Sequence, residues 1–126
     1  MTNRKLNSSN YSNQTFLEER CTLNELINLL GKRWITEVLF SIDEGNNRFT
    51  GLKEELLNIS DNILANRLRL LEEYKLITKE SFPEIPPRVE YTTSNTGKEL
   101  IKLLDQLCDF SDQSMYSNTI NRKKTV

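Results

Sequence analysis

Apolar residues recur at helical spacing through most of the chain, and the breaks between the runs are short and polar. Leu23, Leu26, Ile27 and Leu30 form one stripe, with Thr22 and Glu25 at capping-box spacing ahead of it. Gly31 stops or bends that helix. A second helix runs through GKRWITEVLFSID, where Trp34, Ile35, Val38, Leu39 and Ile42 share a face and are expected to form the middle of the core. EGNN at 44–47 is a turn cluster. Arg48-Phe49 suits a very short strand. Thr50 is then expected to cap a short helix that turns Leu52, Leu56 and Leu57 inward.

The stretch SDNILANRLRLLEEYKLI, residues 60–77, reads as one helix with two faces. Ser60 is a good N-cap, and Asp61 suits the positive end of the helix dipole. Leu64, Leu68 and Leu71 make the core stripe, while Asn62, Ala65, Asn66 and Arg69 fall on the other side. A short helix, a tight turn and a longer helix make a helix-turn-helix arrangement.

Strand composition follows, with Ile77, Thr78 and Phe82 in one run and Val89, Tyr91 and Thr93 in the next. Pro83, Pro86 and Pro87 cannot donate to a ladder, so they belong in the connecting loop, with Arg88 at the tip. A lone hairpin is marginal in water and must pack on the helices. Residues 96–112 are helical again. Leu100, Leu104 and Leu107 form a stripe, flanked by Ile101 and Cys108 on one side and by Leu103 and Phe110 on the other. That arc is wider than one core-facing stripe needs, so the helix is expected to pack on its own domain and on a second subunit. The fold class is mainly α with a small β-hairpin wing, a winged helix-turn-helix dimerising through its terminal helices. Leu23, Leu26, Leu103, Leu107 and Phe110 are the expected dimer contacts.

The organisation expected is a flexible N-terminal arm over 1–20, one domain over 21–112 and a polar basic tail over 113–126. The chain has 126 residues, enough for a single core. With 17 basic and 18 acidic residues it is no polycation, so any nucleic-acid contact must come from a local basic face. The absence of histidine removes the usual general acid–base and metal-binding side chain. Two cysteines, Cys21 and Cys108, are too few for a disulfide scaffold or a four-thiolate zinc site, so no metal or cofactor is expected. No catalytic constellation or Gly-rich phosphate loop is present, which argues against an enzyme. No apolar run approaches the ~20 residues of a membrane span, and the N-terminus lacks an apolar signal region. A cytoplasmic location with reduced thiols is expected.

The polar face of the long helix carries the candidate chemistry. Asn bonds adenine edges and Arg bonds guanine edges in the DNA major groove. Ser60, Asn62, Asn66 and Arg69 are the candidate base readers; Arg48, Lys53 and Arg88 are candidates for the DNA backbone and the wing contact. Arg88 could instead hold the wing from within, and Arg67, beside the core stripe, suits a pairing with Glu37 or Glu90. Glu72 and Glu73 would repel phosphate, so the N-terminal half of the helix is expected to do the reading. Cys21 stands at a helix N-terminus, where a thiolate is favoured, and is the candidate redox sensor; a small buried residue is the plainer alternative. Cys108 is expected in the core, and a disulfide between the two cysteines stays open.

The order of elements resembles the winged helix-turn-helix regulators of the bacterial HxlR family, from about Cys21 to Phe110. The residues carrying the resemblance are Gly31-Lys32 with Trp34, Arg48-Phe49 with Leu52, and Ile59-Ser60. Next come Leu64, Arg67-Leu68-Arg69 and Leu71-Glu72. The most specific piece is Phe82-Pro83-Glu84 with Pro86-Pro87-Arg88-Val89-Glu90-Tyr91; Thr96-Gly97 and Leu107-Cys108-Asp109-Phe110 complete it. The resemblance implies a small homodimer acting on an inverted repeat of double-stranded DNA, with repression expected ahead of activation. In some members of that family a cysteine just before the first helix, where Cys21 stands here, senses an electrophile or oxidant. That family usually carries Gly after the recognition helix, whereas this chain has Lys75; a non-Gly residue in a left-handed C-cap costs about 1 kcal/mol, so a different helix end is expected here. Gly51, where an acidic or polar residue is common, weakens the first turn of the short helix. The competing reading is a winged-helix protein-interaction module without sequence-specific DNA binding.

Overall fold

The structure is a computed structural model that describes residues 21–116, the side chains of Cys21 and Tyr116 excepted. The chain forms two compact units, Met1–Thr36 and Glu37–Val126. The expected arm over 1–20 and the tail beyond residue 116 lie outside the described residues.

In the first unit, helix α1 (Cys21–Leu30) is already running at Cys21, so Thr22 lies inside it and does not cap it. The N–H of Gly31 still bonds the Ile27 carbonyl at 2.9 Å, and that of Lys32 bonds Leu29 at 3.1 Å, closing the helix end. The inward residue is Leu29, which is buried, whereas Leu23 and Ile27 are exposed. Trp34 departs from expectation. Its φ is 76°, in the left-handed region, so it precedes helix α2 (Ile35–Asp43) instead of belonging to it. Trp34 is only half-buried, and the Arg33 guanidinium carbon lies 4.8 Å from its ring centroid. From Glu37 on, α2 belongs to the second unit, and its buried residues are Ile35, Val38, Leu39, Ser41 and Ile42.

The second unit is built around the helix-turn-helix. Helix α3 (Phe49–Glu55) starts from an N-cap at Arg48, with no side-chain cap, and Thr50 is in its first turn. Tertiary structure explains the shift: the Tyr91 N–H bonds the Asn47 carbonyl at 2.9 Å, pinning the entry to the helix. This one bond replaces the strand expected at Arg48-Phe49. Leu52 and Leu56 point inward, but Leu57 is 70% exposed because the chain has already turned. Asn58 makes the turn at φ 75°, where a short amide side chain is tolerated. Ile59, just beyond, is buried.

Helix α4 (Asp61–Glu73) has the expected cap, the Ser60 hydroxyl accepting from the Ile63 N–H at 3.1 Å. Leu64, Leu68 and Leu71 are buried along one face. The helix ends at Tyr74 and takes the left-handed cap with Lys75 at φ 60°. The Leu76 N–H bonds the Leu71 carbonyl and the Lys75 N–H bonds Glu72, both at 2.9 Å. This is a Schellman end, and Leu71 and Leu76 at its two apolar positions are both buried. Lys75 therefore fills the glycine position without altering how the helix stops.

Strands β1 (Ile77–Phe82) and β2 (Arg88–Thr93) pair antiparallel from Ile77 with Thr93 to Phe82 with Arg88. Pro83, Pro86 and Pro87 lie in the connecting loop, as expected. Helix α4 packs on β1. Helix α5 (Asn95–Phe110) packs on β2 and continues as a π-helical turn, Ser111–Tyr116. Ser94 caps α5, accepting from the Gly97 N–H at 2.9 Å while donating to the Lys75 carbonyl at 2.7 Å. Only the first part of α5 is covered, at Gly97, Leu100, Ile101 and Leu104. Leu107, expected to continue the core stripe, is 58% exposed. Cys108, expected in the core, is exposed as well. The helix outruns the body that its first three turns pack against.

Candidate nucleic-acid interface

The helix-turn-helix owes its geometry to side chains that bridge its turn. The Lys53 ammonium donates to the Ile59 carbonyl at 2.8 Å and pairs with Asp61 at 3.0 Å. Behind it, the buried Ser41 hydroxyl donates to a Glu55 carboxylate oxygen at 2.9 Å and accepts from the Asn46 amide at 2.9 Å; that amide also bonds Glu55. This network ties α2, the 44–47 turn and α3 together. Periodicity could not reveal it, because each residue looks like an ordinary surface polar position.

On α4, Asn62 and Arg69 are exposed, and Ala65 between them is small enough to let a groove wall approach. Residues 62, 65, 66 and 69 share one face, opposite the buried leucines. Asn66 is half-buried, and its carbonyl oxygen accepts from Arg67. Arg69 reaches only 4.0 Å from Glu73, at the limit of an ion pair in solvent. Ser60 has its oxygen engaged in the cap, which leaves its hydroxyl proton to donate. Arg48 is exposed at the start of α3.

Arg88 is placed differently. Its guanidinium lies 3.0 Å from Glu84 and 3.3 Å from Glu90, and 4.0 Å from the centroid of the Phe82 ring. Its Nε is buried without a hydrogen-bond partner. Arg88 thus serves as an internal clamp of the wing, the alternative that its sequence position left open. Lys53 is likewise engaged within the protein. Register gives one wing face Thr78, Glu80 and Phe82 opposite Thr92, Glu90 and Arg88. On that face the Thr78 and Thr92 hydroxyls meet at 2.8 Å. The other face carries Ile77, Lys79 and Ser81 opposite Thr93, Tyr91 and Val89. Burial pushes the Tyr91 phenol pKa upward, and the Glu72 carboxylate adds to the shift.

The dimer candidates on α5 stand in solvent: Leu103 is 55% and Phe110 57% exposed. They lie at helical spacing with Leu107 on a single stripe. Cys21 is the first described residue of α1, and its side chain lies outside what is described. Among the described residues no cluster of side chains could hold a metal ion, and no helix is long and apolar enough to cross a membrane.

The sequence pattern of the HxlR-like helix-turn-helix family matches residues 29–119. The chain belongs to this family. An uncharacterised HTH-type transcriptional regulator of Methanothermobacter thermautotrophicus is 37% identical over 93 residues, covering 74% of this chain and 71% of the relative. The reduced form of the transcriptional regulator YodB from Bacillus subtilis superposes with a TM-score of 0.68 at 30% identity, over 74% of this chain and 91% of YodB. The diamide-treated form of YodB gives 0.62 at 32% identity, over 74% and 92%. A protein assigned to the MarR family from Enterococcus faecalis matches with a TM-score of 0.71 at 26% identity, over 94% of this chain and 98% of that one. This HxlR-type protein is a DNA-binding transcriptional regulator with a winged helix-turn-helix fold. The family's members are regulators and not enzymes.

Proposed function

We propose that this HxlR-type regulator acts in the cytoplasm as a homodimeric repressor, reading an inverted-repeat operator with α4. The observation that carries this is the outward face of α4, where Asn62, Asn66 and Arg69 stand opposite the buried leucine stripe, just beyond a turn clamped by Lys53. A twofold dimer would set two such helices in successive major grooves about 34 Å apart. Ser60 and Arg48 flank that face and complete the contact, Ser60 at a base edge or the groove wall and Arg48 at a phosphate. Lys53 and Arg88 support it from within and reach phosphate only by exchanging their carboxylate partners.

The α5 stripe of Leu103, Leu107 and Phe110 is assigned to the subunit interface, since an exposed apolar row past the covered part of a helix calls for a second surface. Leu23 and Leu26 of α1 are given the same role. Cys21 is assigned to sensing an electrophile or oxidant. Its place in α1 and the thiol-directed treatment under which the similar YodB was also solved support this. Modification there would disturb α1 and with it the spacing of the two reading helices.

Selection of random duplex DNA by the purified protein, at low and moderate salt, tests the reading. An enriched inverted repeat with half-sites about one helical turn apart is expected, with affinity that falls steeply as salt rises. No enrichment at either salt, from a folded dimer, overturns it. With the operator in hand, Cys21→Ser is expected to bind as well as wild type and to stay bound when a quinone is added. A variant that still lets go shows that the sensor lies elsewhere.

A further inference from the structure

The outward face of α4 carries Asn62, Ala65, Asn66 and Arg69, and of these only Ala65 has no polar group. It is exposed, one turn beyond Asn62 and one turn before Arg69. Its polar neighbours have unequal capacities. Asn66 is half-buried and its carbonyl oxygen accepts from Arg67, so its amide has only N–H groups left to offer. Asn62 is exposed and keeps both ends of its amide, the pair of groups that an adenine edge requires. Arg69 keeps its guanidinium nearly uncommitted, 4.0 Å from Glu73.

Asparagine is a short side chain. An Asn62 amide that bonds a base edge brings the backbone of α4 close to the floor of the groove, and Ala65 on the same face comes with it. With Asn62 and Arg69 both engaged, the Ala65 methyl lies within the contact. What it meets there decides whether the contact is favourable. A polar base-edge atom pressed against a methyl loses its water and gains no partner. The one methyl group on a major-groove edge is that of thymine. Against it, the contact simply removes apolar surface from water.

We propose that Ala65 reads the 5-methyl group of a thymine, so that each half-site carries this thymine between an adenine bonded by Asn62 and a guanine bonded by Arg69. This role rests on α4 as the reading helix and adds a base that no hydrogen bond selects. The spacing fits. At a rise of about 1.5 Å per residue, α4 advances about 10 Å from Asn62 to Arg69, or about three base steps of about 3.4 Å. Ala65 stands near the middle of that span, so its base lies between the other two.

Deoxyuridine pairs as thymine does but lacks the methyl group, so it is the probe. Each thymine of the selected duplex is replaced in turn, in one half-site at a time, and binding is measured by titration. One replacement is expected to cost the wild-type protein about fourfold in affinity, the effect of one buried methyl group, and the others nothing. That thymine is expected within about two base pairs of the position at which Arg69→Ala loses its preference. Ala65→Gly removes the reading methyl. It weakens the helix alike for every duplex, so the readout is the ratio of affinities for the thymine and deoxyuridine duplexes, expected to fall from about four to about one. A selected half-site with no thymine at that place overturns the role of Ala65 and leaves α4 as the reader. So does a duplex that binds equally well with deoxyuridine at every position. An unchanged ratio in Ala65→Gly gives the thymine methyl to another side chain and overturns the role as well. A protein that selects no duplex fails one step earlier, at the reading helix itself, and takes this role with it.

Discussion

The Lys53 ammonium donates to the Ile59 carbonyl 2.8 Å away, across the turn that separates α3 from α4. It holds Asp61 of α4 at the same time. Lys53, a candidate phosphate contact, is thus also a strut inside the motif. Lys53→Met keeps the aliphatic stem and removes the donor. It is expected to lower stability by about 1 kcal/mol, read as a shift in the urea midpoint, and to weaken duplex binding at every salt concentration alike. A normal urea midpoint with a flatter salt dependence would return Lys53 to the phosphate contacts.

Arg69 is exposed and barely paired, so its removal has little fold to disturb. Arg69→Ala is expected to leave the melting temperature near wild type. Operator discrimination should fall by about 1–3 kcal/mol at one base pair per half-site, seen by comparing wild-type and singly mutated duplexes. Unchanged discrimination would remove Arg69 from the reading set.

Lys75 has φ 60° and closes a Schellman end that satisfies the Leu71 and Glu72 carbonyls. A side chain there carries a steric cost that glycine avoids. Lys75→Gly is expected to raise stability by up to about 1 kcal/mol. Chemical denaturation of the two proteins side by side checks this, and a loss of stability would show that the lysine side chain earns its place by another contact.

A methyl group on Gly97 would sit 2.1 Å from the Leu76 carbonyl oxygen and 2.8 Å from the Thr93 Cγ2. The first of these is backbone and cannot step aside, so α5 and the end of α4 would have to part. Gly97→Ala is expected to cost about 1–3 kcal/mol and to release the Ser94 bond to the Lys75 carbonyl. Hydrogen exchange at Gly97 and Ser94 should quicken along with it.

The Tyr91 phenol is held neutral, first by burial and second by Glu72. A folded-state value above the unfolded one, about 10, means that this phenol favours folding at all lower pH. The contribution is lost as pH rises from about 10 through the raised folded value, where the phenolate must form inside the structure. Tyr91→Phe is expected to flatten the loss of stability above about pH 10 and to leave stability at neutral pH nearly unchanged, because no hydrogen bond is made by this hydroxyl among the described residues. An identical alkaline profile in both proteins would assign the transition to another group.

Local pattern alone determined much of this protein. The leucine spacing of α4, the Ser60 cap, the proline-bearing wing loop and the order of elements are short-range properties, and the structure contains them as read. They place the chain in its family because caps, periodicity and loop prolines act within a few residues. Tertiary structure decided where elements begin and which faces are covered. Helix α3 starts at Phe49 because Tyr91, more than forty residues along, holds Asn47. Leu57 and Leu107 are exposed because the chain turns or the helix outruns its support. Lys53 is clamped because Asp61 arrived from α4, whereas Arg88 is held by its own sequence neighbours, Glu84 of the wing loop and Glu90 of β2. A charged side chain in a sequence carries no sign of whether folding will bring it an acid, and that encounter decides what remains on the surface for DNA.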